Sequence, residues 1–114
     1  MVPYKNRFHG LASLRFVFSK GQTIKSQHFT LKYAYNNRRK DFRVAVVVSK
    51  KVSKKAVIRN RIRRRLYEQV RIRSLQINKP YDIALTAYSD KIINTTNKQL
   101  EKQITSLFKK AQII

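Results

Sequence analysis

An α+β sandwich, in the order α-β-β-β-α-β-α with helices packed on one small mixed sheet, is the fold class this sequence predicts. Three observations lead there. Apolar residues at 58, 62, 66 and 70 recur every four positions and mark a long amphipathic helix. Runs at 29–35, 42–48 and 81–87 are short and rich in β-branched or aromatic residues, as strands are. The 114 residues, 42% of them hydrophobic, suffice for a single domain over 1–114 with one modest core.

Taken in order, residues 1–10 mix basic and turn-prone types and are expected to form an extended arm. Leu11, Leu14 and Phe18 recur at three- and four-residue steps and predict a short helix over 11–19. Gly21 closes it, since glycine takes the left-handed backbone of a helix terminus without penalty. A short extra strand fits near 22–24. Residues 29–35 alternate in the period of a half-buried strand, with Phe29, Leu31, Tyr33 and Tyr35 on its core face. A polar turn over 36–41 leads to a more central strand at 42–48, and the two strands are expected to pair as a hairpin. The long helix runs from 56 to about 74, and Asn78-Lys79-Pro80 breaks it. A strand follows at 81–87. The last helix begins at about Asn94 or Thr95, with Leu100, Ile104, Leu107 and Phe108 inward.

Charge narrows the function. Lys and Arg number 27 against 5 Asp and Glu, a formal net charge of +22. Like charges at that density oppose compaction, and a polyanion relieves them. Nucleic acid is the first candidate, because cations that neutralise phosphates release condensed counterions; an anionic membrane surface is the second. The chain has no cysteine, so disulfide frameworks and cysteine-type zinc sites are excluded. Its amino terminus lacks the apolar core of a signal peptide, and no apolar run approaches the roughly 20 residues of a membrane span. A cytoplasmic location is expected. His9 and His28 lie far apart and are expected to be surface or hydrogen-bonded residues rather than metal ligands. With the five acids scattered, no catalytic cluster and no metal site are assigned.

The basic excess is concentrated. Residues 50–73 hold eleven Lys or Arg against Glu68 alone. The apolar stripe fixes the buried side of the helix, so Arg61, Arg64 and Arg71 project away from the sheet. Arg65 sits at the stripe's edge, where its stem can pack while its head reaches out. Acids that would pair at i+4 are missing, so the repulsion is uncompensated within the helix. A merely solvated face does not need such an excess. A membrane-surface helix needs a free apolar stripe, and this one is committed to the sheet. Phosphate binding remains. In Arg59-Asn60-Arg61, each guanidinium can fork onto two phosphate oxygens or stack on an unpaired base. Asn60 can donate and accept at once.

Ser49-Lys50-Lys51-Val52-Ser53-Lys54-Lys55-Ala56-Val57-Ile58-Arg59-Asn60-Arg61-Ile62-Arg63-Arg64 resembles the signature segment of the bacterial ribonuclease P protein subunit. Asn6-Arg7-Phe8 is similar to that family's amino-terminal basic motif, and Val17-Phe18-Ser19-Lys20-Gly21 to its first helix and turn. The likeness covers nearly the whole chain. At Tyr67 it departs, since the family usually carries another basic residue there; Arg65 is the neighbour that can supply the charge.

The resemblance implies a catalytic RNA with this protein as its non-catalytic subunit, cutting the 5′ leader from precursor tRNA. Magnesium is then held mainly by the RNA. The partners implied are ribonuclease P RNA, one protein per RNA, and precursor tRNA. Arg7, Lys50, Lys51, Lys54, Lys55, Arg59, Asn60, Arg61, Arg63, Arg64 and Arg65 would face the catalytic RNA. Leu14, Phe18, Thr30 and Lys32 would line a cleft between the first helix and the sheet for the single-stranded leader. Position 32 is often aromatic in the family, and Lys32 offers a phosphate contact instead. A βαβ crossover through the basic helix is right-handed by general rule; the resemblance implies the left-handed form. The alternatives are a ribosomal or other structural RNA-binding protein, and a basic DNA-binding module whose helix a βαβ unit leaves less free to enter a groove.

Overall fold

The computed structural model describes Asn6 and residues 11–114, with side chains from Arg15 onward. Its elements are α1 (Leu11–Lys20), β1 (Gln22–Lys25), β2 (Phe29–Tyr35), β3 (Arg43–Val48), α2 (Ala56–Ile72), β4 (Tyr81–Ala87) and α3 (Asn97–Lys110). Short 3₁₀ turns at Ser74–Gln76 and Asp90–Asn94 follow α2 and β4. The predicted order is thus observed, with the extra strand in place. Most of the predicted arm, and His9 with it, lies outside the described residues. Asn6 is buried, and its Nδ2 donates to the Phe42 carbonyl at 2.7 Å.

The four strands form one mixed sheet in the order β1-β2-β4-β3. β1 and β2 are antiparallel, as are β2 and β4, whereas β3 runs parallel to β4 across the α2 crossover. The expected hairpin between residues 29–35 and 42–48 is therefore wrong, because β4 lies between them. The physical reason is burial. In β4, Ile83, Ala84 and Leu85 are fully buried, so this strand needs cover on both faces and neighbours on both edges. The polar segment after β2 instead passes the start of β4, where Asn36 N donates to the Pro80 carbonyl.

Strand periodicity gives the sheet two unlike faces. Phe29 and Leu31 of β2, Val44, Val46 and Val48 of β3, and Ile83, Leu85 and Ala87 of β4 join Ile62, Leu66 and Val70 of α2 in one core. Leu100, Ile104, Leu107 and Phe108 of α3 complete it, as predicted. Ile58 is only partly buried at the start of the stripe, and Tyr35 is 57% exposed rather than core. On the opposite face the register sets Thr30 beside Thr86 and Lys32 beside Ala84. Ala45 and Val47 of β3 extend that row. Small side chains here let α1 lie over β2 and β4, seated through Val17.

Helix ends follow local chemistry. The last helix starts later than expected, because Thr96 and Gln99 form a reciprocal capping box and residues 90–94 turn as 3₁₀. Gly21 does follow α1, but not for the reason of a left-handed backbone. A Cβ there would lie 2.4 Å from the Val17 carbonyl oxygen and 2.9 Å from that of Tyr33, so close approach to β2 demands glycine. Among the described residues no helix is long and apolar enough to cross a membrane.

Candidate nucleic-acid interface

The basic surface begins where β3 ends. Ser49 N donates to the Ala87 carbonyl at 3.0 Å and holds the loop to the sheet. Ser49 Oγ then accepts from Lys51 N at 3.1 Å, and the Ser49 carbonyl accepts from Val52 N at 3.0 Å. Val52 is buried and plugs the loop into the core. Ser53 Oγ accepts from Lys55 N at 3.1 Å, and the Ser53 carbonyl accepts from Arg59 Nη1 at 2.9 Å. The backbone of residues 49–55 is thereby fixed while Lys50, Lys51, Lys54 and Lys55 stay exposed. The first turn of α2 carries no acid, and no side chain caps it. Its N–H groups and the positive end of its dipole face the lysines, an arrangement suited to phosphate.

Along α2, Asn60, Arg61 and Arg64 are exposed, while Arg59 and Arg63 are half-buried. Asn60 Oδ1 accepts from Arg63 Nη1, which orients both side chains. Arg65 turns the other way: its guanidinium donates to Asn97 Oδ1 at 3.0 Å and to the Thr95 carbonyl, tying α2 to the start of α3. The expected stand-in for the basic residue missing at 67 is thus held by structural acceptors. Tyr67 has its own task, since its hydroxyl accepts Val46 N of edge strand β3 at 3.2 Å. Within the helix one charge is compensated after all. Arg71 pairs with Glu68, whose carboxyl that hydrogen bond holds below its ordinary range.

Of the cleft residues, Phe18 and Lys32 meet where α1 crosses β2, and Thr30 lies two positions before Lys32 on that strand. Lys32 Nζ donates to the Phe18 carbonyl at 3.2 Å and lies 5.3 Å from the Phe18 ring centroid, a cation–π contact. The Phe18 ring is 40% exposed, so it is not a core residue. Arg7 and the side chain of Leu14 lie outside the described residues. Sequence reasoning missed Phe16, equally exposed, which borders a groove of about 640 Å³ with Tyr35, Asn36 and Arg38. Among the described side chains of α1, Val17 is the one that packs inward.

His28 is buried, which corrects its reading as a surface residue, and its Nδ1 makes no hydrogen bond within the protein. Among the described residues no three His, Asp or Glu side chains gather in a metal-binding group. The protein surface offers cations and ring faces, fit for phosphates and unpaired bases.

The comparisons with known proteins agree with one another. The family model described as Ribonuclease P matches residues 2–112. The ribonuclease P protein component of Prochlorococcus marinus strain AS9601 is 31% identical, with 95% of this chain and 94% of that protein covered. That of Clostridium acetobutylicum is 35% identical, covering 96% and 92%. Among solved structures, the Staphylococcus aureus ribonuclease P protein superposes with a TM-score of 0.84 at 25% identity, over 95% of this chain and 96% of that one. The Thermotoga maritima protein does so at 0.76 and 22%, over 85% and 89%. Signature, fold and relatives converge: the chain belongs to the bacterial ribonuclease P protein subunit family.

Proposed function

We propose that this subunit binds the catalytic RNA of ribonuclease P through the loop 49–55 and the first turns of α2, and assists magnesium-dependent 5′ maturation of precursor tRNA. The supporting observation is the pinned loop with its exposed lysines, running into an α2 end that lacks any acid or side-chain cap. Lys50, Lys51, Lys54, Lys55, Arg59, Asn60, Arg61, Arg63 and Arg64 form the contact, and Arg65 holds the helix in position for it. The leader of the substrate runs through the cleft between α1 and the sheet. There the exposed Phe18 face stacks on an unpaired base, worth roughly 1–3 kcal/mol, and Lys32 reaches a phosphate. Magnesium is held by the RNA and the chemistry belongs to it; the protein positions RNA and substrate in the cytoplasm, one chain per RNA.

Reconstitution with a bacterial ribonuclease P RNA at low magnesium tests this reading. Cleavage of precursor tRNA rises over RNA alone. Arg59→Ala with Arg61→Ala weakens RNA affinity and flattens its salt dependence by about one slope unit for each phosphate no longer neutralised. A structural RNA-binding protein of another kind would bind without accelerating cleavage, and that result overturns the proposal.

A further inference from the structure

The exposed side of α3 is a second cationic surface that the signature segment does not include. Lys98, Lys102 and Lys109 are all exposed and fall within about 40° of one another around the helix axis, a row about 16 Å long. With Lys110 they border a shallow groove of about 620 Å³, floored by Thr105 and Ser106, whose only acid is Glu101.

Beneath this row lies a buried cation. Arg73 is 4% exposed, yet its four hydrogen-bond acceptors are all neutral oxygens. Nε donates to Thr105 Oγ1 at 2.7 Å, Nη1 to the Gln69 carbonyl at 2.7 Å and to Gln69 Oε1 at 3.0 Å, and Nη2 to the Glu101 carbonyl at 2.9 Å. Burial lowers its pKa, and the Glu101 charge raises it only in part. The guanidinium remains charged, so its field adds to that of the lysines above it, in a medium of lower dielectric than water. Thr105 accepts from it and keeps its own hydroxyl proton for an outward acceptor.

Position connects the row to the first surface. Arg65 grips Asn97 and Arg73 grips Glu101 and Thr105, so α2 and α3 lie side by side in the same direction. Lys98 follows Asn97 directly, so the row begins at the end of α3 that Arg65 ties to α2.

We propose that Lys98, Lys102, Lys109 and Lys110 of α3 are a second phosphate-binding surface, one that takes the backbone of an RNA double helix. The occupant follows from the side chains. Single-stranded RNA is held by aromatic platforms, and no aromatic residue borders this groove. Lysines and hydroxyls along one helix face instead suit the phosphates and 2′-hydroxyls of a duplex. A membrane surface needs exposed apolar residues beside the cations, whereas Leu100, Ile104, Leu107 and Phe108 all point into the core. The inference extends the proposed RNA-binding role and rests on it for the catalytic RNA, while a plain duplex tests it independently.

The experiment compares Lys98→Gln, Lys102→Gln and Lys109→Gln combined with a charge-matched control, Lys20→Gln, Lys40→Gln and Lys79→Gln combined, all at exposed positions. Binding is measured against salt for ribonuclease P RNA, a blunt RNA duplex, a single-stranded RNA of equal length, and phosphatidylglycerol vesicles. For the α3 variant the salt slope falls by about two to three units on ribonuclease P RNA and on the duplex, with affinity down 10- to 100-fold at 0.1 M salt, and changes little on the single strand. For the control the slope changes by less than one unit. Equal losses in both variants, equal losses on duplex and single strand, or a loss confined to vesicles would each overturn the proposal. A wild-type chain that binds the duplex in this way but neither binds nor stimulates ribonuclease P RNA would sink the proposed function and leave the duplex site standing.

Discussion

Asp82 is the residue on which the sheet's less apolar face depends. It is fully buried, and the register places it directly beside Arg43. Arg43 Nε donates to Oδ1 at 2.9 Å and Nη2 to Oδ2 at 2.8 Å, while Asn36 Nδ2 donates to Oδ2 at 2.9 Å. The two-pronged contact therefore links β3 to β4 and also anchors the segment that replaces the expected hairpin turn. Taking the Asp82 charge away removes the ion pair from a buried guanidinium, at a cost of about 3–5 kcal/mol. Asp82→Asn should lower the unfolding free energy by that amount in urea titration, with RNA contacts on α2 untouched by the substitution. Replacing both partners by apolar residues of similar size should cost much less. A loss under about 1 kcal/mol for Asp82→Asn would show that the pair is solvated. In sequence, Arg43 was one cation among 27 and Asp82 one of five scattered acids. Only the strand register, a long-range property, reveals their pairing.

Elements were legible where local rules decide them. The four-residue stripe correctly placed Ile62, Leu66 and Val70 against the sheet, because a helix that long has one face to bury. The basic loop was equally legible, since cations at that density have no structural reason to gather. Sheet order was not, because strand pairing depends on which strand needs cover on two faces, and neighbours in sequence look like partners. In α1 ten residues contain too few repeats to fix which side chain turns inward: the structure buries Val17 and exposes Phe18, the residue expected in the cleft. The end of α3 was also unforeseen. Gln112 has φ of 58°, with its N–H bonded to the Lys109 carbonyl and Ile113 N bonded to that of Phe108. This is a Schellman terminus in which glutamine occupies the position that glycine favours. Ile113 is buried with Phe108 and holds the motif shut. Gln112→Gly should therefore raise stability by roughly 1 kcal/mol, as the left-handed penalty on a side chain is removed. A thermal melt that falls instead would mean that the flexibility gained by the unfolded chain outweighs that relief.

At the scale of the whole molecule, +22 charges occupy a body measuring 37 × 27 × 24 Å. The screening length is about 30 Å at 0.01 M salt and about 8 Å at 0.15 M. In dilute buffer almost every cation therefore repels every other, whereas at physiological salt only neighbours interact. Asp82 and Glu68 are already paired with Arg43 and Arg71 and cannot offset the remainder twice. Unfolding spreads the charges apart, so repulsion weakens the compact state more than the open chain. The free protein should consequently melt higher as sodium chloride rises from 0.01 to 0.15 M. A gain of 1 kcal/mol corresponds to a rise of about 4–8 °C for a domain near this size. A flat or falling melting temperature would show that the charges are spaced too widely to strain the fold. The same reasoning predicts opposite signs for one variant in two assays. Exchanging Lys98, Lys102 and Lys109 for glutamine should raise the melting temperature of the free chain at 0.01 M salt, because it thins the repulsion. The same exchange should weaken RNA binding, because fewer cations meet the phosphates. Stability and binding moving together would contradict the view that this charge is kept for a polyanion, since the folded protein alone is better off without it.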